Sequence, residues 1–437
     1  MIRRVAPAAL AMMLIACAGG GQGPTGGSSI VPMSTGPRAL LAAGYLDALA
    51  PGPGGQILAW GGNASGELGD GTTQDRSAPV PVQGLTGHGS VVDVAAGVTH
   101  SMAVTSDGSA FAWGHNASGE LGGQVSVDML QPVLVQGLQG VRQVAAGDGW
   151  SMALESDGTV MAWGNNQSGE LGDGNAPSDH FTPAPVYGLT AGSGVIQIAA
   201  GYSSGLVLKA DGSVWAWGNG TSGELGDGSM DKRSSPTQVQ GLGPGSGVIQ
   251  VAGGGSFSLA LTSDGTVFAW GNNESGELGD GNAPTDSLVP VQVKGLGPDS
   301  GVVAIAAGGS FSLALMSDGS VLAWGHNETG ELGNGNAPSD SSIPVQVKGL
   351  GRGSGVEAIA AGGSHCIALT KSGKVLAWGN DSQGQLGDGA GAPFRPTPVT
   401  SFADADVPGL TLQSYPSSPD VRSSAKKSKS RSGGVTG

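Results

Sequence analysis

A tryptophan returns along this chain at nearly fixed intervals. Trp60, Trp113, Trp163, Trp217, Trp270, Trp324 and Trp378 are separated by 53, 50, 54, 53, 54 and 54 residues. Around each lies a close copy of residues 268–281, Phe-Ala-Trp-Gly-Asn-Asn-Glu-Ser-Gly-Glu-Leu-Gly-Asp-Gly. A period of this length means one supersecondary unit used repeatedly. It therefore argues for one closed array, although 437 residues would be enough for several ordinary domains.

Each unit has the same parts. An apolar run ends in Ala-Ala-Gly, as at residues 91–97, and a second run follows at 101–105. After a turn at Ser106-Asp107-Gly108 come a third run ending in Trp113-Gly114, the Gly-Glu-Leu-Gly loop and a Pro-containing run. Short apolar runs bounded by turn residues are the mark of strands. No stretch sustains a 3.6-residue period, so helices are expected to be few. Asp-Gly between the second and third runs suggests a two-residue type I′ hairpin, at Asp107-Gly108, Asp157-Gly158, Asp211-Gly212, Asp264-Gly265 and Asp318-Gly319. From the glycine of Ala-Ala-Gly to the tryptophan is 16 residues in every unit, including the degenerate first one, Gly44 to Trp60. There are thus seven units. Four short antiparallel strands per unit, seven times over, predict an all-β, seven-bladed β-propeller across residues 38–402, since closing the ring disposes of exposed sheet edges. The last strand, around Pro396 to Val399, is expected to pair beside the first unit and close the ring with both termini.

The flanks read differently. Residues 1–16 form an export signal: Arg3 and Arg4, an apolar stretch, then Leu14-Ile15-Ala16 before Cys17. This resembles a bacterial lipobox, which implies cleavage before Cys17, acylation of its sulfur and anchorage to the cell envelope. Residues 17–37, rich in Gly, Ser and Pro, read as a tether. Residues 403–437, with Arg422, Lys426, Lys427, Lys429 and Arg431 among serines, read as a disordered, solvated tail with a basic end. Cys366 is the only other cysteine and lies in an apolar run, so it is expected to be a small buried residue.

Composition narrows the function. Charged residues are 12% and the net charge is −15, without the basic stripe that nucleic-acid binding needs. The six histidines form no zinc-type pair, and no nucleophile elbow or phosphate loop occurs. No catalytic residues, metal site or cofactor are therefore assigned. The Gly-Glu-Leu-Gly-Asp-Gly loops lack the ligand spacing of a calcium site and read as turns in which Glu bonds backbone amides. The Asn-x-Ser/Thr sequons at Asn63, Asn116, Asn166, Asn219, Asn273, Asn327 and Asn380 read as turn chemistry, and the tryptophans as packing between blades.

The cycle Ala-Ala-Gly, Ala-Leu, Asp-Gly, Ala-Trp-Gly, Gly-x-Leu-Gly, Pro-x-x-Val resembles the regulator of chromosome condensation repeat, over residues 38–402 and seven times in register. The resemblance implies a seven-bladed propeller. It leaves activity open, because the family holds an exchange factor for the GTPase Ran, photoreceptors, ubiquitin-ligase modules and a secreted inhibitor of β-lactamases. Where the family commonly has Gly-Gln-Leu-Gly, six units here have Glu (Glu67, Glu120, Glu170, Glu224, Glu277, Glu331), and only Gln385 keeps the common form. Three residues after each Ala-x-Gly glycine stand Asp47, His100, Trp150, Ser204, Phe257, Phe311 and His365. Equivalent positions in a closed ring form a circle, and two readings of it stay open: the side chains pack under the adjacent loop and vary with local fit, or the circle is the candidate partner-binding site, with Trp150, Phe257 and Phe311 partly exposed around the central mouth. The expected protein is an exported, monomeric, non-enzymatic scaffold that binds a protein or envelope polymer through its loop face and the membrane through its N-terminal lipid. The alternatives are an exchange-factor-like regulator of a small GTPase and an inhibitor of an extracellular or envelope enzyme.

Overall fold

The computed structural model describes residues 40–402 apart from Thr86 and Gln124. The signal peptide, Cys17, the tether and the basic tail lie outside the described residues. Within them the chain forms seven four-stranded antiparallel sheets, each built from consecutive strands. In blade 2, for example, the strands are Val91–Ala96, His100–Thr105, Ala110–Gly114 and Met129–Leu134, running from the axis outward. The sole helical turn among the described residues is Pro53–Gly55, where blade 1 has lost its Asp-Gly hairpin. This is the expected seven-bladed propeller.

The core lies between blades. Seven clusters of buried apolar side chains each join one blade to the next. The tryptophan register is the key to each seam. Every repeat tryptophan is fully buried and donates its indole N–H to a backbone carbonyl of the preceding blade's loop: Trp113 to Glu67 (2.7 Å), Trp217 to Glu170 (2.7 Å), and around the ring to Trp60 on Gln385 (2.8 Å). A buried indole N–H needs such an acceptor, so the Gly-Glu-Leu-Gly loop and the tryptophan specify one joint. The last glycine of that loop has a left-handed backbone (φ 62° at Gly172) and lies so close to the next blade's tryptophan that a Cβ would sit 2.7 Å from Trp217 Nε1. Only glycine fits there.

Two expectations are corrected. The hairpin turn is not type I′, because only its glycine has positive φ (84° at Gly108). Gly108 N–H bonds Thr105 O at 2.8 Å, and the carboxylate of Asp107 accepts from Ser109 N–H at 3.0 Å. The aspartate caps its own turn, so the left-handed residue is needed once and the loop is one residue longer. The last strand, Phe394–Phe402, pairs with Val375–Asn380 of its own blade and does not join the first sheet. Closure is made at the axis, where Gly363 N–H donates to Gly44 O at 3.0 Å. A like bond recurs at each seam, as in Tyr45 N–H to Gly97 O (2.9 Å) and Val98 N–H to Gly147 O (3.1 Å), with the acceptor one residue later between blades 3 and 4 (Asp148 N–H to Tyr202 O, 2.8 Å), so a belt of backbone bonds encircles the channel.

Candidate interaction face

Antiparallel order within each blade sorts the connections onto two faces. The turns between first and second strands and the Gly-Glu-Leu-Gly loops share one face; the Asp-Gly hairpins and the links to the next blade share the other. The candidate circle Asp47, His100, Trp150, Ser204, Phe257, Phe311 and His365 does stand in register, as the first residue of each second strand, beside the Glu-loop face. All seven are buried, in line with the packing reading and against the exposure of Trp150, Phe257 and Phe311 that the binding reading required. The reason is close approach. Each side chain folds back over the glycine three residues earlier, and a Cβ on Gly308 would strike the Phe311 ring and lie 2.8 Å from Gly362 O of the next blade. Phe257 and Phe311 pack into the wedge toward the following blade. Trp150 packs likewise and donates to Tyr202 O at 2.7 Å. Polar members bond across the same seams: His100 Nε2 is 2.8 Å from Ser151 Oγ, and Ser101 Oγ donates to Asp47 at 3.3 Å. Burial lowers the His100 pKa to about 3 and that of His365 to about 4, and raises that of Asp47. Both imidazoles are therefore neutral at neutral pH. Removing the three aromatics would open cavities at seams, not disarm a surface.

Two positions earlier, directly after each glycine, stand Tyr45, Val98, Asp148, Tyr202, Gly255, Gly309 and Gly363, and of these Tyr45, Val98, Tyr202, Gly309 and Gly363 line the channel. Their variation from blade to blade matches that of the circle chosen from sequence, and it was the available signal. Tyr45 is 43% exposed and Asp148 is exposed, whereas Tyr202 is half-buried. The Tyr45 and Tyr202 rings meet edge to face, with centroids 6.1 Å apart. Below them is a cavity of about 140 Å³ walled by Ala and Gly backbone. The opposite end carries Arg142 and Glu357 in the same register as apolar groups. One-residue bulges in the inner strands, next to Val91, Val195 and Val302, push out Val92, Ile196 and Val303.

The loop glutamates surround the mouth at larger radius but are themselves buried. Each caps its loop: Glu67 accepts from Ser65 N–H (2.8 Å), Glu277 from Ser275 N–H (3.0 Å), and Gln385 does the same for Gln383 (2.8 Å). Burial raises the carboxyl pKa of Glu67, Glu170, Glu224 and Glu331, and that of Glu277 to about 7. Cys366 is buried at the position of Ser312 and Ser258, and its thiol donates to Glu331 O at 3.3 Å. It is a seam residue, as its setting in an apolar run suggested. Among the described residues no group of His, Cys, Asp or Glu converges as a metal site would.

Comparison with known proteins agrees with this anatomy. Residues 29–353 match the model of the RCC1-like domain, and residues 356–385 match the regulator of chromosome condensation (RCC1) repeat. The chain belongs to the RCC1-like family. This RCC1-like propeller is 33% identical over 352 residues to the Arabidopsis thaliana ultraviolet-B receptor UVR8, covering 80% of the chain and 78% of the receptor. It is 36% identical over 367 residues to the human E3 ubiquitin-protein ligase HERC2, covering 82% of the chain but only 7% of the ligase. Yeast RCC1 (Prp20), solved bound to Kap60, superposes with a TM-score of 0.71 at 25% identity, covering 87% of this chain and 92% of that one. Another structure of Saccharomyces cerevisiae Prp20p, described together with its binding to Gsp1p and histones, gives 0.69 at 26% identity and covers 82% and 88%.

Proposed function

We propose that this RCC1-like propeller is a monomeric, non-enzymatic scaffold that holds a protein partner on its Glu-loop face, outside the cytoplasm, anchored through a lipid on Cys17. The observation that carries the reading is the channel mouth. Where the side chains of the candidate circle are sealed into seams, Tyr45 and Leu46 of blade 1 and Asp148 of blade 3 stay exposed on the Glu-loop face, with Tyr45 among the residues that line the channel. Recognition concentrates where a rigid scaffold presents such groups. Prp20p, with its binding to Gsp1p and histones, and the yeast RCC1–Kap60 complex are precedents for protein partners in the family. The acidic balance of −15 speaks against nucleic acid.

The test is affinity capture from detergent-solubilised envelope with the full chain. Partner recovery is expected to fall with Tyr45→Ala/Leu46→Ser and to persist with Val303→Ser on the opposite mouth. The reverse pattern would place binding on the other face. Anchorage is tested by labelling cells with radioactive palmitate: the wild type takes up label and Cys17→Ser does not. An unprocessed Met1 on a cytosolic, unlabelled protein would instead favour the exchange-factor reading, and inhibition of an envelope enzyme by the purified ring would favour the inhibitor reading.

A further inference from the structure

We propose that Asn219 is a site of self-modification: the Gly220 backbone nitrogen attacks its side chain and leaves aspartate or isoaspartate in the blade 4 loop. A bond forms between Gly220 N and Asn219 Cγ, and the Cγ–Nδ2 bond breaks. The Gly220 proton leaves with that nitrogen as ammonia. Water then opens the cyclic imide, at Cγ to give aspartate or at the backbone carbonyl to give isoaspartate. Water is the only co-reactant, and nothing is oxidised or reduced. The inference does not rest on the partner-binding reading.

Glycine after asparagine favours this chemistry, because no Cβ shields the attacking nitrogen. The sequence has two such pairs, Asn219-Gly220 and Asn334-Gly335. Both asparagines are half-buried, so exposure does not separate them. The amides that follow do. Gly335 N–H donates to Pro396 O of the next blade at 2.9 Å. The Asn334 side chain is held as well, since its Oδ1 accepts from Asn336 N–H at 2.8 Å. The Gly335 nitrogen must therefore break a bond between blades before it can attack.

Blade 4 has lost the device that holds the corresponding amide elsewhere. In five blades the residue at this register is an asparagine whose N–H donates to the aspartate just before the fourth strand, as Asn63 to Asp75 at 2.9 Å and Asn273 to Asp286 at 2.8 Å. In blade 7 Asp381 N–H donates to Pro393 O at 2.8 Å. Blade 4 has Gly220 here, and Lys232 stands where the aspartate would be, directly before the strand Arg233–Gln238. Lys232 reaches away to Ser168 Oγ at 3.0 Å. Among the described residues the Gly220 N–H has no acceptor. The Asn219 side chain runs forward along the backbone, toward that amide: its Nδ2 donates to Thr221 Oγ1, two residues on, at 3.1 Å. Asn219 N–H is fixed on Ser203 O at 2.8 Å, next to Tyr202 on the Glu-loop face. The Asn219 amide also bonds the Glu224 carboxyl. Its loss removes that donor and sets a second carboxyl beside a buried one, so the reaction alters both charge and loop geometry on this face.

The second Asn-Gly pair is an internal control. The full chain is aged at mildly basic pH, and the peptides holding Asn219 and Asn334 are mapped by mass spectrometry for the amide-to-acid change. Isoaspartate is scored by methyl transfer with an isoaspartyl methyltransferase. Asn219 is expected to convert at least about fivefold faster than Asn334, the factor that one backbone hydrogen bond supplies. In denaturant the two should convert at similar rates. Lys232→Asp returns the missing acceptor and should slow Asn219 several-fold without changing Asn334, and Lys232→Asn should do so without adding a charge. Lys232 is exposed, so both variants should melt as the wild type does, which is checked in parallel. Equal rates in the folded chain, no conversion at Asn219, a preference that persists in denaturant, or an Asn219 rate indifferent to both variants overturns the inference. Partner capture by freshly made protein decides the face assignment separately.

Discussion

At the scale of single residues, the third position after each repeat tryptophan shows how a loop is held from inside. Asn63, Asn116, Asn166, Asn273 and Asn327 are buried there, not displayed as sequons. Each accepts from a leucine N–H five residues on, as Leu68 to Asn63 at 2.9 Å, and donates its amide to a carbonyl further along, as Asn273 to Thr285 O at 2.9 Å. Blade 7 has Asp381 in this register. It keeps the bond from Leu386 N–H at 3.0 Å, but its Oδ2 is buried without a partner and burial raises its pKa. Restoring the donor with Asp381→Asn should stabilise the fold by about 1 kcal/mol, since an unsatisfied buried polar atom costs about 1–3 kcal/mol. A lower unfolding midpoint for this variant would sink the account. The loop glutamates give a second prediction. Folding raises the pKa of Glu277 from 4.5 to about 7, so the folded state binds that proton more tightly than the unfolded chain. Its contribution is greatest below about pH 4.5 and is lost as the pH rises through about 7. His100 and His365 act the other way: with pKa values of about 3 and about 4, they contribute stability above their unfolded value of 6.5 that is lost on acidification. Comparing Glu277→Gln with wild type isolates the glutamate. Gln385 already fills this position with the same cap, so the variant should gain stability at pH 8 relative to pH 5. Parallel melting curves at the two pH values would refute this.

At the scale of elements, the unit that matters is the seam, in which one blade's loop carbonyl accepts from the next blade's tryptophan. In most seams a second donor helps: Ser151 Oγ reaches Glu120 O at 2.8 Å beside Trp163 Nε1 at 2.8 Å. Blade 4 has Gly205 in place of that serine, and the Trp217 ring occupies the space a side chain would need. Glu170 O there has the Trp217 bond but no hydroxyl beside it. Trp217→Phe should therefore destabilise more than Trp163→Phe, by about 1 kcal/mol, because only the former strands a buried carbonyl. Equal losses in denaturant titrations of the two variants would contradict the two-donor description. This level was the most legible in sequence. A tryptophan 16 residues from a glycine, seven times, permits one register and one closed ring. Finer geometry was not legible. Residues one and three positions after the turn glycine vary alike, and only the fold-back over that glycine buries Phe311 while leaving Tyr45 at the mouth. Asp-Gly likewise signals a hairpin, but whether one residue or two takes positive φ depends on the Asp107 carboxylate reaching Ser109 N–H.

At the scale of the whole molecule, a closed ring is as secure as its weakest seam. Inner strands carry a further clip between blades. Gln143, Gln197 and Gln250 each place a side-chain amide on the next blade's backbone, as Gln250 donates to Ile305 O at 2.9 Å and accepts from Ile305 N–H at 3.0 Å. Asp93 accepts from Val144 N–H at 2.9 Å in the same way. The register then reaches Ala304 in blade 6 and Ala358 in blade 7, neither of which can clip. The seam between blades 7 and 1 lacks more besides. Ala48 stands where Ser101 and Ser151 bond their neighbours, so His365 has no hydroxyl across this seam such as Ser151 offers His100 Nε2. Its apolar cluster includes four small residues, Ala48, Ala50, Ala358 and Ala377, and no phenylalanine of the buried circle. The inner strand of blade 1 is only Ala42–Ala43. What holds this junction is the belt bond from Gly363 to Gly44, the Trp60 bond to Gln385 O and the remaining aliphatic contacts. Local stability follows such differences in contact, and the least-clipped seam opens first. Native-state hydrogen exchange should therefore find the Gly363 amide exchanging faster than Tyr202, Val98 and the other belt amides. Ala358→Gln should slow it by supplying the missing clip toward blade 1, while leaving exchange at the seam between blades 3 and 4 unchanged. Uniform protection around the belt, or faster opening at a clipped seam, would mean that the ring unfolds as one cooperative unit and that the side-chain amides do not set where it parts.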